Sequence, residues 1–299
     1  MRRTPRRVGS DGLHVRENGR WAEIKLSFFD HFIPTAIDAT EAKHRRVYID
    51  LFAGPGLNAD KDQAAREFSG GALRVLQAKG RKRPDLTFTD AVLINLDSTD
   101  HTALERRVNR LGEQGALMVP RERIQILHED ANRVVATLLK RFHRLDYFLV
   151  FVDPEAPRQW PWSSVRALKA GQHKSVDFYC LLPLEMGLRR LLNFGPGPKR
   201  TEYEHAFDAF FGCSEWREIV ERRFSKAQSQ QMTRDLEQLY LSQLRRFWKY
   251  ADHIVQVRGR RKQGLYRMVF ASSHPAGRDI ARWASRVTEE AEHPRLRGL

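Results

Sequence analysis

Apolar positions along the chain follow two alternating rhythms. Residues 1–20 are polar and Arg-rich with no hydrophobic period, which predicts a loosely ordered basic arm. From Trp21, apolar side chains recur at helical spacing through Ile24, Phe28 and Phe32 until Pro34 interrupts the pattern, so a helix is expected before the first strand. That strand is the run from Val47 to Phe52, ended by a Gly/Pro cluster. Ser69 is then positioned to cap a helix through Ala72, Leu73, Val75 and Leu76 that stops near Gly80.

The alternation continues. Strands are expected over 91–96, 123–127, 147–152 and 176–182, with helices marked by Leu104, Val108 and Leu111, by Val134, Val135, Leu138 and Leu139, and by 163–169. Runs apolar on both faces suit interior parallel strands. Strands alternating with helices over 47–182 imply an α/β, Rossmann-like, doubly wound sheet whose ligands sit beyond the carboxyl ends of the strands. The chain then changes character. Residues 183–231, with Gly195-Pro196-Gly197-Pro198, lack strand patterning and are expected to form a mostly helical insertion. Over 232–299 a closing helix is followed by runs at 254–257 and 265–270 flanking a short turn, Gly259 to Gly264, and then by a C-terminal helix. The two runs predict an antiparallel hairpin rather than another βαβ unit. A terminal hairpin added to five parallel strands, with 21–182 as the first part of the core, is the class I methyltransferase topology.

Candidate chemistry follows from what ends those strands. Asp50, Asp97, Asp130 and Asp153 each stand at the carboxyl end of a successive strand. Adjacent parallel strands present these ends to one crevice, where gathered carboxylates repel one another unless a cationic or hydroxyl-bearing ligand lies among them. S-adenosylmethionine has that chemistry: an ammonium, a sulfonium, ribose hydroxyls and an adenine amine. By strand order, Asp50 is expected near the methionine end, Asp97 at the ribose, Asp130 with Ala131 at the adenine amine, and Asp153 on the reaction side. The loop Phe52-Ala53-Gly54-Pro55-Gly56 completes the cofactor set, since Gly54 and Gly56 let backbone approach a ligand. Taken singly, each Asp reads as a helix cap or strand terminator; it is the four in register that favour the ligand reading.

Gly54-x-Gly56-x-x-Ala59 also fits a loose dinucleotide fingerprint. Asp60 and Asp62 crowd the pyrophosphate position, and the acidic residue expected about 20 positions on is replaced by Leu76, so a nicotinamide cofactor is disfavoured. Asp153-Pro154 resembles the start of the loop that holds a target amine in amino-methyltransferases, although Glu155 and Ala156 replace its usual continuation. Trp160 and Trp162 offer a stacking face only if the loop folds back; as helix packing residues they offer none. His128 and His143 show no metal-ligand spacing, and no metal is expected.

Composition narrows the setting. With 52 Lys+Arg against 37 Asp+Glu the chain carries +15, which suits a polyanionic partner such as a nucleic acid. Pairs such as Arg106-Arg107, Arg222-Arg223 and Arg245-Arg246 read as solvated helix faces. Two cysteines, Cys180 and Cys213, exclude a disulfide framework and read as ordinary buried thiols. No run approaches the roughly 18 apolar residues of a membrane span, and no apolar segment follows the basic start, so a cytoplasmic protein is expected.

The motifs together resemble the three-Cys-motif partner (TcmP) family of bacteria. The resemblance rests on Trp21 and Lys25, Tyr48 through Gly56, Ser69 through Leu73, Asp130-Ala131-Asn132, Phe151 through Pro154, Phe211-Gly212 with Trp216, and Tyr266 to Gly277. It implies a methyltransferase-like fold, a companion protein bearing three cysteines, and a link to nucleic-acid processing or repair. Two positions depart from the family pattern: Glu155-Ala156 replace an aromatic and Gly, and Gly70-Gly71 follow Ser69 where Ser-Pro is usual. Two functional expectations follow. One is an S-adenosylmethionine-dependent methyltransferase acting on a nucleic acid or nucleotide-like acceptor through Asp153 and Pro154. The other is a non-catalytic scaffold of the same fold that binds a partner protein or DNA.

Overall fold

The computed structural model describes residues 7–19, 21–63, 66–170, 173–184, 187, 197–222, 229–258 and 264–292. Its strands are β1 (Arg16–Asn18), β2 (Arg46–Asp50), β3 (Leu57–Asp60), β4 (Glu67–Ser69), β5 (Asp90–Asn95), β6 (Ile124–His128), β7 (Tyr147–Val152), β8 (Ser175–Leu182), β9 (Tyr250–Arg258) and β10 (Gly264–Ser272). A small sheet runs β1-β3-β4, and a seven-stranded sheet runs β6-β5-β2-β7-β8-β10-β9. β2 pairs in parallel with β5 and β7, and β5 with β6. β10 pairs antiparallel with both β8 and β9, so the second hairpin strand lies next to the parallel set. This mostly parallel, Rossmann-like α/β architecture with a closing hairpin matches the expected topology. The hairpin turn itself, residues 259–263, lies outside the described residues, as do Gly195 and Pro196 of the insertion.

The chain forms two compact units, 1–131 with 146–151 and 279–299, and 132–145 with 152–278. In unit 1, α1 (Trp21–Ala39) runs through Pro34 instead of stopping there. Phe28, Phe29, Phe32, Ile33, Ala36 and Ile37 are all buried, on both sides of the proline. Burying that second half outweighs the roughly 3 kcal/mol that a helix-interior proline costs. α2 (Gly71–Leu76) begins one residue later than expected: Gly70 is its N-cap and makes no side-chain cap bond, so Ser69 is a strand end rather than a cap. α3 (Ser98–Glu113) is capped by Asp97, and α4 (Ala131–Leu138) begins after Asp130.

Residues 7–19 are not the loose arm their polarity implies. Val15 is 1% exposed, β1 pairs with β3 in parallel, and Gly9 and Leu13 close a turn through a 2.8 Å backbone bond. Their anchor is Arg107. Its guanidinium donates to both Asp11 carboxylate oxygens at 2.8 and 2.9 Å and to the His14 carbonyl at 2.8 Å. Arg107 is 5% exposed, which corrects its reading as half of a solvated pair.

In unit 2, α5 (Trp162–Ala170), α6 (Pro198–Phe211), α7 (Trp216–Arg222) and α8 (Ser229–Leu244) pack an aromatic core. Trp162 meets Tyr240 edge-on at 5.2 Å, Phe210 stacks on Tyr240 at 5.0 Å, and Phe207 contacts Trp216 at 5.2 Å. Within 183–231 the described residues include α6, α7 and the start of α8, with a non-helical turn over 212–215. α9 (Pro275–Glu292) is the last element among the described residues.

Candidate functional site

In unit 1 the candidate cofactor residues lie along the carboxyl ends of three neighbouring parallel strands. Asp50 is the last residue of β2 and stands beside Leu93 of β5. The chain then turns, so Leu51 and Phe52 belong to the loop and not to the strand. Asp50 is 1% exposed, and both its oxygens are engaged: Oδ2 accepts from the Tyr48 hydroxyl at 2.9 Å and Oδ1 from the Phe52 amide at 3.1 Å. Its carboxylate therefore shapes the loop from beneath. The Ala53 amide donates to the Ile94 carbonyl at 3.0 Å, which holds the loop along β5.

Two side chains that sequence reasoning missed fix the loop's outward course. Asn95, buried at the end of β5, donates to the Gly54 carbonyl at 2.9 Å. Arg107 donates to the Pro55 carbonyl at 2.6 Å. The signal for Arg107 was its phase, because it shares the α3 face of Ala103, Leu104 and Val108. Asp100 shares that face too, and it accepts two bonds from Arg16, at 2.6 and 3.1 Å, while His14 Nε2 stands 3.3 Å away.

Gly54 and Gly56 have φ of 64° and 85°, the left-handed region that favours glycine. Their neighbours differ. A Cβ on Gly56 would stand 2.9 Å from Leu104 Cδ1 and 3.1 Å from Leu73 Cγ, so Gly56 lets the loop close on α2 and α3. The atoms nearest a Cβ on Gly54 would be those of the Arg16 guanidinium, at 3.7 Å. Of the two, Gly54 lies beside a cationic group and Gly56 against hydrocarbon.

Asp97 falls two residues beyond β5, after an exposed Leu96. Its Oδ1 accepts from the amides of Thr99 and Asp100 at 2.8 and 3.1 Å, so it caps α3. The helix-cap reading therefore holds for Asp97. Asp130 is half-buried at the turn between β6 and α4, and Ala131 is buried as the first helical residue. Beside them His101 and His128 stack at 5.4 Å, and the His128 Nε2 donates to the Leu96 carbonyl at 3.1 Å, a bond that ties the ends of β5 and β6 together. Asp60 and Asp62 lie at the end of β3 and after it: the Asp62 amide donates to Asp60, the main cause that holds the Asp60 carboxyl below its ordinary range.

In unit 2, Asp153 and Pro154 follow β7, with Asp153 half-buried and Pro154 buried. The next two amides, of Glu155 and Ala156, both donate to Gln159 Oε1, at 2.6 and 3.2 Å. Gln159 is held in turn through its carbonyl by Asn132 at 3.0 Å, and Asn132 accepts from Ser164 at 2.8 Å. The loop is a closed turn with the Glu155 side chain exposed. Trp160 is fully buried and Trp162 nearly so; they are packing residues and supply no stacking face. The Asp153 charge reaches Tyr179 and Cys180, whose protonated forms are stabilised first by burial and then by that charge. Cys213 is partly exposed rather than buried, and its thiol is pushed up to about 11, chiefly by desolvation.

No group of three or more His, Cys, Asp or Glu among the described residues is arranged to hold a metal ion. No helix among them is long and apolar enough to cross a membrane.

No family model and no curated protein matches the chain, so the TcmP resemblance stands on its motif residues alone. Among solved structures the chain is similar to a Legionella pneumophila protein, at 11% identity over 90% of this chain and 92% of that one, with a TM-score of 0.47. It is similar to spermidine synthase from Thermotoga maritima, at 11% identity over 90% and 65% of the two chains, TM-score 0.41. A protein described as an O-methyltransferase from Klebsiella pneumoniae aligns at 9% identity over 85% and 90%, TM-score 0.39. Likenesses this weak add nothing to the strand order, on which the fold assignment rests.

Proposed function

We propose that this chain is an S-adenosylmethionine-dependent methyltransferase acting on a nucleic acid or nucleotide-like acceptor. The observation that carries the reading is in unit 1: Asp50 ends β2, Asp97 and Asp130 follow the adjacent parallel strands β5 and β6, and a glycine loop held by Asn95 and Arg107 leads out of the first. The donor set suits the cofactor. Asp97 and Asp130 would accept from the ribose hydroxyls and the adenine amine, with Ala131 beside them, and Phe52, Ala53, Gly54 and Gly56 would border the methionine end. Asp50, both of whose oxygens are engaged within the protein, would act by holding the loop. When bound, the cofactor supplies an electrophilic methyl on its sulfonium.

In unit 2, Asp153 would accept a hydrogen bond from the acceptor amine and orient its lone pair, with Pro154 stiffening the turn. The basic surface would hold phosphates. The reading is tested by turnover: S-adenosylhomocysteine should accumulate when the protein is incubated with cofactor and DNA, RNA or nucleotide acceptors. Loss of that product in Asp153→Ala, with cofactor affinity retained, supports the assigned role.

One observation favours a second reading, a scaffold of the same fold that binds DNA or a three-cysteine partner without catalysis. Glu155 and Ala156 occupy the turn where an aromatic face is needed, their amides are both tied to Gln159, and both nearby tryptophans are buried. Cofactor binding without product across all acceptors, together with capture of the three-cysteine protein, selects the scaffold.

A further inference from the structure

Among the described residues, some cations of this chain are paired with carboxylates and others are not, in both units. Arg7, Arg16, Arg66, Arg74, Arg83, Arg107, Arg200, Arg217 and Arg267 all have carboxylate partners. Lys140, Arg141, Arg144 and Lys174 are exposed and form no ion pair among the described residues. All four belong to unit 2. The Lys174 amide donates to the Arg144 carbonyl at 3.2 Å, so the segment after α4 and the segment leading into β8 lie side by side.

Three further groups extend the cluster. Lys169, at the end of α5, lies 5.0 Å over the Trp248 ring, and Trp248 Nε1 donates to the Val176 carbonyl at the start of β8. Burial lowers the Lys169 ammonium pKa from its ordinary value. Lys249 follows Trp248 in the chain and lies 5.6 Å over Tyr250, and the His143 ring is exposed. The acids on the same elements are few: Asp177, buried near the start of β8, and half-buried Asp252 on β9. Asp146, next in the chain after the segment, is 2% exposed. Leu145, 46% exposed, adds a patch of hydrocarbon to the basic edge.

We infer that Lys140, Arg141, Arg144 and Lys174 form a docking surface for the phosphate backbone of a nucleic acid, set apart from the reaction residue Asp153. Flexible cations without carboxylate partners need not break an internal bond to meet a phosphate, and each phosphate met releases condensed counterions. Lys174 precedes Tyr179, which feels the Asp153 charge, by five residues, roughly 16 Å along a strand rising about 3.3 Å per residue. Phosphate contacts of this kind would position the strand without reading its sequence.

The inference rests on the nucleic-acid reading above, and its test keeps the two apart. Wild type, Lys140→Glu/Arg141→Glu/Arg144→Glu and a control with the same charge change in unit 1, Lys79→Glu/Lys82→Glu/Arg106→Glu, are titrated with duplex DNA and single-stranded DNA and RNA across a salt series. S-adenosylhomocysteine affinity is measured on each. The cluster variant should lose at least about tenfold in affinity for every sequence and reduce the logarithmic salt slope by roughly 2 to 3, about 0.9 for each phosphate that is no longer neutralised. The control should lose markedly less, and cofactor affinity should be equal in all three. Equal losses in cluster and control variants would overturn the surface while leaving nucleic-acid binding standing. No binding by wild type at low salt would overturn it together with the acceptor reading, whatever the cofactor result.

Discussion

Arg107 and Pro55 are 52 residues apart in sequence, and the 2.6 Å bond between the Arg107 guanidinium and the Pro55 carbonyl joins the glycine loop to α3. The same guanidinium binds Asp11, so one buried cation holds both the N-terminal segment and the candidate cofactor loop. Replacing it with Met keeps much of the volume but removes every donor, leaving the Pro55 carbonyl and the Asp11 carboxylate without that partner. Arg107→Met should destabilise the fold by about 2 to 4 kcal/mol, read from a urea midpoint. An unchanged midpoint would show that the loop is held by other means.

Gly56 tests the loop's closure on hydrocarbon. A Cβ there would stand 2.9 Å from Leu104 Cδ1 on a backbone with φ of 85°, so Gly56→Ala combines strain with overpacking. A loss of about 2 to 3 kcal/mol is expected by thermal or urea denaturation. Gly54→Ala has ordinary contact space, bears only the strain, and should lose less.

Asp97 is the N-cap of α3, and in the proposed reading it is also the acceptor for the ribose hydroxyls. As the N-cap of α3 it is replaceable by Asn, a comparably good cap, whereas Ala should destabilise by about 1 kcal/mol. If it also accepts from ribose hydroxyls, Asp97→Asn should keep stability and weaken cofactor affinity by roughly tenfold. Equal affinity in Asp97→Asn would leave Asp97 as a helix cap alone.

Asp208 gives the fold an acid-side dependence. Hydrogen bonds from Arg217, one of them 2.6 Å, hold its carboxyl below the ordinary range. A carboxyl depressed in the folded state contributes stability that is fully present above the unfolded value, about 3.9. That contribution is lost as pH falls through the lower folded value. Asp208→Asn should therefore flatten the stability profile below about pH 4 and leave its shape near neutrality unchanged, as followed by urea midpoints across pH.

What the sequence made legible was the part with strong local period. The buried runs at 147–152 and 176–182 and the paired runs near 254 and 265 match β7, β8, β9 and β10 closely. β1, β3 and β4 escaped notice because each has three or four residues and is defined by pairing across distant segments, as Arg16 with Asn58 and Leu57 with Ser69. Pro34 misled because the local helix penalty is visible in sequence while the burial of Ile33, Ala36 and Ile37 is not. At the candidate site the row Asp50, Asp97 and Asp130 could be read from strand ends, but which of them supports the loop, caps a helix or faces a turn depends on bonds from Tyr48, Phe52 and Thr99. Asn95 and Arg107 looked like a strand residue and a surface cation, and their roles come from carbonyls at Gly54 and Pro55 that only the folded loop presents.

Calorimetric titration of the wild-type chain with S-adenosylhomocysteine bears most directly on the nucleoside reading of the β2, β5 and β6 strand ends. Saturable binding at one site with micromolar affinity, weakened by Asp97→Asn, is the expected result. No heat and no thermal stabilisation at high micromolar ligand, in a preparation shown to be folded, would refute it.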